Sequence, residues 1–274
     1  MTVPDQQRAA SLIAGGAALV AGAVLADSAI EHYRGSFANR AMALPLASSA
    51  LSIAADGALA AAGRVGGAAA PVAMSVHAAS TIIGAAGLGF HAYNIGRQPG
   101  GFSLTNVFYQ APIGAPAALV LAGSLGAAAQ ALGRGATHLG PVPLLSGRAL
   151  AGVTALGLAG TVGEAALLHF RGAYHNPVMW LPVTIPPIAA LALARAALTG
   201  RVSWITTAAL AATATLGLVG SAFHAYGVSR NMGGWKNWRQ NLLAGPPIPA
   251  PPSFTGLAIA GLGAVLLIRR FARG

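Results

Sequence analysis

Residues 27–46 read DSAIEHYRGSFANRAMALPL, and residues 164–183 read EAALLHFRGAYHNPVMWLPV. Laid over one another, they pair Asp27 with Glu164, His32 with His169, Arg34 with Arg171, Gly35 with Gly172, Asn39 with Asn176, Met42 with Met179 and Pro45 with Pro182. A second match lies downstream in each half. FHAYNIGRQPGG at 90–101 against FHAYGVSRNMGG at 223–234 pairs His91 with His224, Tyr93 with Tyr226 and Arg97 with Arg230. Between these islands the halves share little beyond apolar character. A duplication that drifted everywhere except around four histidines and their arginines points to a histidine-centred site in each half.

The composition makes the bilayer the solvent of this chain. Of its 274 residues, 55% are hydrophobic and 8% are charged, and the mean hydropathy is +0.65. A soluble domain carries roughly 25% charged residues, so this chain cannot coat a water-facing surface of ordinary size. The net charge is +11, with only five acidic residues. The arginines lie between apolar stretches, which makes lipid phosphates and the carboxylates of a cofactor or partner their counter-charges. They are spread along the membrane rim and form no stripe, which argues against nucleic acid as a partner. The chain has no cysteine, which excludes disulfides, thiolate metal ligands, iron–sulfur clusters and thiol-attached haem c. No Walker loop, dinucleotide glycine fingerprint or Ser-His-Asp constellation stands in a suitable context.

A membrane span needs about 20 mostly apolar residues. Candidate spans are 9–30, 41–62, 70–92, 112–133, 147–169, 178–198, 203–225 and 251–269. The first is too long for a signal sequence and lacks a small-residue cleavage site, so it reads as a retained span. The fold class is therefore all-α: a polytopic membrane bundle of about eight transmembrane helices. It divides into two four-helix repeats, 1–135 and 136–274, joined near 134–146. An even number of spans per repeat gives both repeats one orientation, related by a pseudo-two-fold axis along the membrane normal. Asp56 interrupts the second span. Pro186 and Pro187 should bend the sixth or unwind its outer end, and Asn39 and Asn176 should cap the second and sixth.

Both termini fall on one side, with Arg8, Arg64, Arg134, Arg148, Arg195, Arg201, Arg269, Arg270 and Arg273. Arg34, Arg40, Arg97, Arg171, Arg230, Lys236 and Arg239 fall on the other. The bias places the termini in the cytoplasm of a bacterial inner-membrane protein. Odd-numbered spans then end together, so His32, His91, His169 and His224 share one depth near the extracytoplasmic face. The loops 100–116 and 233–252 carry Phe102, Phe108, Tyr109, Trp235 and Trp238, and suit a cap or the docking surface for an extracytoplasmic protein.

Neutral imidazole is a ligand for iron, zinc or copper. Two histidines on neighbouring helices across a porphyrin-wide gap make a bis-imidazole haem b site. His32 with His91, and His169 with His224, supply one such pair per half; ligation across the halves is equally allowed by the spacing. Arg34, Arg97, Arg171 and Arg230 suit haem propionates at the water boundary, and Tyr93 and Tyr226 suit hydrogen bonds to the same groups. Asp27 and Glu164, five residues ahead of His32 and His169, are expected to orient an imidazole N–H or to carry protons. Anchoring of helix ends in the headgroup layer is the simpler role for any one His/Arg pair, but it does not explain the same neighbours in both copies. His77 reads as a hydrogen-bonded core residue, His138 as a solvated one, and His175 as an accessory at most.

The function these residues point to is a membrane electron-transfer subunit of an oxidoreductase. One or two b-type haems would pass electrons between an extracytoplasmic dehydrogenase and quinone. The alternatives are a membrane enzyme using zinc, copper or iron on a shared four-histidine centre, a transporter, or a subunit binding a chlorophyll-type pigment.

Overall fold

The computed structural model describes residues 3–110, 112–139 and 145–271. Arg273 and part of the join, 140–144, lie outside the described residues. The chain is built of helices α1 (Val3–Arg34), α2 (Leu44–Ala62), α3 (Ala69–Gly96), α4 (Leu104–Tyr109), α5 (Gly114–Gly133), α6 (Gly147–Arg171), α7 (Ile185–Thr199), α8 (Trp204–Arg230), α9 (Trp238–Ala244) and α10 (Pro252–Phe271). Among the described residues, eight helical segments are long and apolar enough to cross a membrane. The short α4 and α9 lie in the two long loops.

Local chemistry sets the ends of these helices. Ser103, Ser146 and Ser203 accept from the backbone N–H three residues on and so cap α4, α6 and α8. Gly63 and Gly200, at matching places in the two halves, end α2 and α7 in the left-handed conformation, φ +73° and +68°. Asn39 and Asn176 do act as caps, but of 3-10 turns that precede the spans: each side chain accepts from the N–H two residues on. Prolines account for the break after the second of these turns. The first part of the sixth span is a 3-10 helix, Pro177–Val183, and the α-helix begins only at Ile185, ahead of Pro186 and Pro187.

The core lies along α1, α5 and α10, where Ile13, Leu125, Leu132, Leu257 and Val265 are buried. Around it, α2 and α3 pack on α1 and α5, while α6, α7 and α8 pack on α10 and on one another. Within each half the order of neighbours repeats: first helix on second and fourth, third on fourth. Between the halves it is uneven, since α1 lies closely along α10 whereas α5 and α6 touch far less. Large apolar side chains such as Leu156 (75% exposed), Leu191 (73%) and Leu198 (78%) point away from the bundle, as expected of surfaces solvated by lipid.

Glycine permits the α1–α10 approach. A Cβ on Gly256 would stand 2.6 Å from the Gly16 carbonyl oxygen, and one on Gly16 would collide with Gly256 and Ala260. Without a hydrophobic force between helices in lipid, such backbone contact is a main source of attraction. Gly256→Leu should therefore lower the thermal stability of the purified protein in detergent by more than the ~1–3 kcal/mol of ordinary overpacking. Gly15→Leu, where nothing lies within 4 Å of the added Cβ, should leave the melting temperature nearly unchanged.

Candidate functional site

Each motif histidine lies near the C-terminal end of its helix: His32 on α1, His91 on α3, His169 on α6 and His224 on α8. All four are half-buried, and all four use the same ring nitrogen in the same way. Nδ1 of His32 lies 2.7 Å from the Met42 carbonyl oxygen, and that of His169 lies 2.7 Å from the Met179 carbonyl. Nδ1 of His91 lies 2.5 Å from the Pro112 carbonyl, and that of His224 lies 2.7 Å from the Pro247 carbonyl. A carbonyl oxygen only accepts, so Nδ1 carries the proton and donates it. In the neutral ring this leaves Nε2 with a free lone pair, the usual condition of an imidazole poised to ligate.

Between His32 and Met42, and between His169 and Met179, the chain makes strained turns that also repeat. Ser36 and Phe37 have φ +55° and +46°, and Ala173 and Tyr174 have φ +54° and +47°. Two successive non-glycine residues in the left-handed region cost about 1–2 kcal/mol each. The result is that the Phe37 ring meets His32, and the Tyr174 ring meets His169, edge-on at 6.1 Å in both cases. Gly35 and Gly172 leave room for the methyl groups of Met42 and Met179.

His169 and His224 are brought together, with ring centres 6.5 Å apart and planes at 68°. A metal–imidazole bond is about 2.0–2.1 Å and a ring nitrogen lies about 1.1 Å from its ring centre, so two imidazoles gripping one metal from opposite sides have centres about 6.3 Å apart. His32 and His91 make no comparable ring contact among the described residues. No three His, Cys, Asp or Glu side chains among the described residues gather into a group able to hold a metal ion. A bis-imidazole haem asks the protein for two ligands only, because the porphyrin supplies the rest of the iron's equator.

The arginines divide. Arg97 stands over the ring of Tyr93 at 5.6 Å, and Arg230 over Tyr226 at 5.7 Å; both tyrosines are exposed. Arg34 pairs with Glu31 at 3.0 Å, a solvated contact of small energetic weight, and donates to the Leu243 carbonyl. Arg171 stands over Tyr109 at 5.0 Å and Phe108 at 5.9 Å. The hydrogen-bond partners of the four motif imidazoles are backbone carbonyls, not Asp27 or Glu164. These carboxylates, from matching places on α1 and α6, are instead close enough for their charges to interact, and the Glu164 head packs against Gly114 at the start of α5. His77 is buried and pairs with Asp56 at 3.2 Å, while His138 and His175 are exposed.

The long loops cross over. Phe108 of α4, in the first half, meets Phe170 at the end of α6 with ring centres 5.8 Å apart. Arg239 of α9, in the second half, stands over Tyr33 at the end of α1 at 5.5 Å and donates to its hydroxyl. Each loop is shaped by a buried asparagine that the sequence reading passes over. Asn106 Nδ2 donates to the carbonyls of Pro99 and Gly101 at 3.0 and 2.6 Å, and Asn241 Nδ2 to those of Met232 and Gly234 at 3.2 and 2.8 Å. The signal was there: both asparagines sit six residues before the proline whose carbonyl meets His91 or His224.

Comparison with protein-family models, curated proteins and solved structures finds no match for this chain. The functional reading accordingly rests on its own residues. Asn39→Ala and Asn176→Ala remove the caps of the turns that carry the Met42 and Met179 carbonyls. Each should cost about 1 kcal/mol in thermal unfolding, while the Asp variants, which keep an accepting oxygen, should lose less.

Proposed function

We propose that this protein is a membrane electron-transfer subunit that holds b-type haem through His169 and His224, with a second haem at His32 and His91. The observation that carries this reading is the His169–His224 spacing of 6.5 Å, joined to four Nδ1–carbonyl bonds that leave Nε2 of every motif histidine free to ligate. The haem iron would supply one-electron chemistry. The chain's own part is to fix the imidazoles through backbone carbonyls and to offer Arg34, Arg97, Arg171 and Arg230 to the propionates at the rim.

In this reading the halves are parallel repeats about an axis along the membrane normal, with both termini cytoplasmic and the motif rim extracytoplasmic. The repeated order of helix neighbours supports it, as does the crossing of each loop over the other half's motif. An extracytoplasmic dehydrogenase would dock on loops 100–116 and 233–252, where Leu104 (83% exposed) and Met232 (91%) join exposed Phe102, Trp235 and Trp238 in an apolar, aromatic-rich face of the kind that partners cover. Quinone is the acceptor that matches a bilayer-embedded site. Its reduction consumes two electrons and two protons, and Asp27 and Glu164 stand below the rim to deliver protons.

Full-length protein purified in detergent from haem-replete cells should show a Soret band and a sharp α band on reduction. His169→Ala or His224→Ala should remove one share of the absorbance, and His32→Ala or His91→Ala the other. A colourless preparation overturns the proposal. Metal without porphyrin in elemental analysis would replace it with a metal-dependent enzyme.

A further inference from the structure

The first half buries an ionisable pair where the second half buries leucines. Asp56 on α2 and His77 on α3 are both 0% exposed, with His77 Nε2 3.2 Å from Asp56 Oδ1. The register of the first repeated island carries Asp56 onto Leu193, and that of the second carries His77 onto Leu210. Both leucines are fully buried. The backbone agrees with this pairing. A Cβ on Gly126 of α5 would stand 3.0 Å from Asp56 Oδ1 and 2.5 Å from His77 Nδ1, and one on Gly261 of α10 would stand 3.2 Å from Leu193 and 3.0 Å from Leu210. The fold thus accepts an apolar filling of this place. A buried ion pair is often no more stabilising than such a filling, so packing alone gives no reason for the pair.

Its surroundings are polar, and only on one side. Gln130 of α5 is buried and donates to the Ala55 carbonyl at 3.1 Å. Its Oε1, both carboxylate oxygens of Asp56 and both ring nitrogens of His77 lack a hydrogen bond of ordinary geometry. Leaving a buried polar group unsatisfied costs about 1–3 kcal/mol; Asp56 Oδ1 and His77 Nε2 meet only each other, and Asp56 Oδ2, His77 Nδ1 and Gln130 Oε1 are left for an occupant they can bind. Towards the motif end, Ser52 sits one turn from Asp56 and Ser80 one turn from His77. Their hydroxyls are 2.9 Å apart. Ser80 also donates to the Ser48 carbonyl at 3.4 Å, and Ser48 donates to the Pro45 carbonyl at 3.3 Å, at the start of α2. Towards the other end, Leu59, Ala73 and Leu132 are buried and close the way. The second half has Ile185 and Ala189 in place of Ser48 and Ser52. No other ionisable group faces the pair from the packed helices: α5 has none, α2 has only Asp56, α3 has only His91 and Tyr93 near its far end besides His77, and α1 has none between Arg8 and Asp27.

We propose that Asp56 and His77 form a proton-exchanging site inside the first half, entered from the motif end past the paired hydroxyls of Ser52 and Ser80. A proton taken up from water at the motif end forms one O–H bond on the Asp56 carboxylate and turns it into a carboxylic acid. His77 Nε2, 3.2 Å from Asp56 Oδ1, accepts a hydrogen bond from that O–H. No electron moves, so the site stands or falls independently of the haem reading.

The test is infrared difference spectroscopy of the full-length protein in lipid nanodiscs between about pH 3 and about pH 9, spanning the ordinary range of carboxyl and imidazole titration. The expected result is a carboxylic C=O band that changes with pH, shifts in D2O and vanishes in Asp56→Asn. In Ser52→Ala/Ser80→Ala, its exchange with D2O should slow by about fivefold or more, the scale of one lost hydrogen-bonded contact. Asp56→Leu/His77→Leu copies the second half and should fold with a melting temperature at or above that of the parent, without the band. An Asp56 band that does not respond to pH, or exchange unaffected by loss of the serines, overturns the proposal. So does a double-leucine variant that unfolds, since the pair would then be structural.

Discussion

Four hydrogen bonds from imidazole Nδ1 to backbone carbonyl tie the motif ends of α1, α3, α6 and α8 to the chain that leaves them. In water such bonds would contribute little, because the same groups find solvent. At the edge of a bilayer a loose carbonyl or N–H is costly, and a ring that satisfies one fixes both the loop and itself. The strained left-handed turns at Ser36–Phe37 and Ala173–Tyr174 lie inside the loops that these bonds close, between His32 and Met42 and between His169 and Met179. The same bonds decide the tautomer of every ring, and with it the nitrogen that is left without a proton in the neutral form.

The two halves obey one local plan and differ in how they meet. Gly16 and Gly256 let α1 lie along α10 with backbone touching backbone. The register of the first repeated island carries Gly16 onto Val153 of α6, and there α5 and α6 stand apart. Near that looser seam Glu164 packs on Gly114 within electrostatic range of Asp27, and Arg171 reaches the aromatic rings of α4. Charged and aromatic groups therefore gather where the halves separate, and close packing where they meet.

Much of this was legible in the order of residues. Eight apolar stretches end within a few residues of the helices that form, because the cost of a charged side chain in hydrocarbon leaves little freedom in where a span stops. Asn39 and Asn176 cap as their residue type implies, and Pro186–Pro187 hold the α-helix back to Ile185. Contacts made across the fold were less legible. Spacing gave no sign that the rings of Tyr93 and Tyr226 would lie under Arg97 and Arg230. It placed Asp27 and Glu164 behind the histidines, whereas carbonyls do that work. Asn106 and Asn241 escaped notice because a buried amide among loop residues looks like any polar loop position until the carbonyls around it are placed.

The sequence by itself determined that the chain lives in a membrane, where its helices begin and end, and which residues recur. Those properties follow from local hydropathy and backbone preference, which act within a few residues along the chain. Only the tertiary structure decided that His169 stands opposite His224, that each loop crosses to the other half, and that His77 meets Asp56. Such pairings depend on which helices touch. In a bilayer that choice rests on side-chain fit between surfaces of similar greasiness, where a glycine in place of an alanine outweighs any difference in hydropathy.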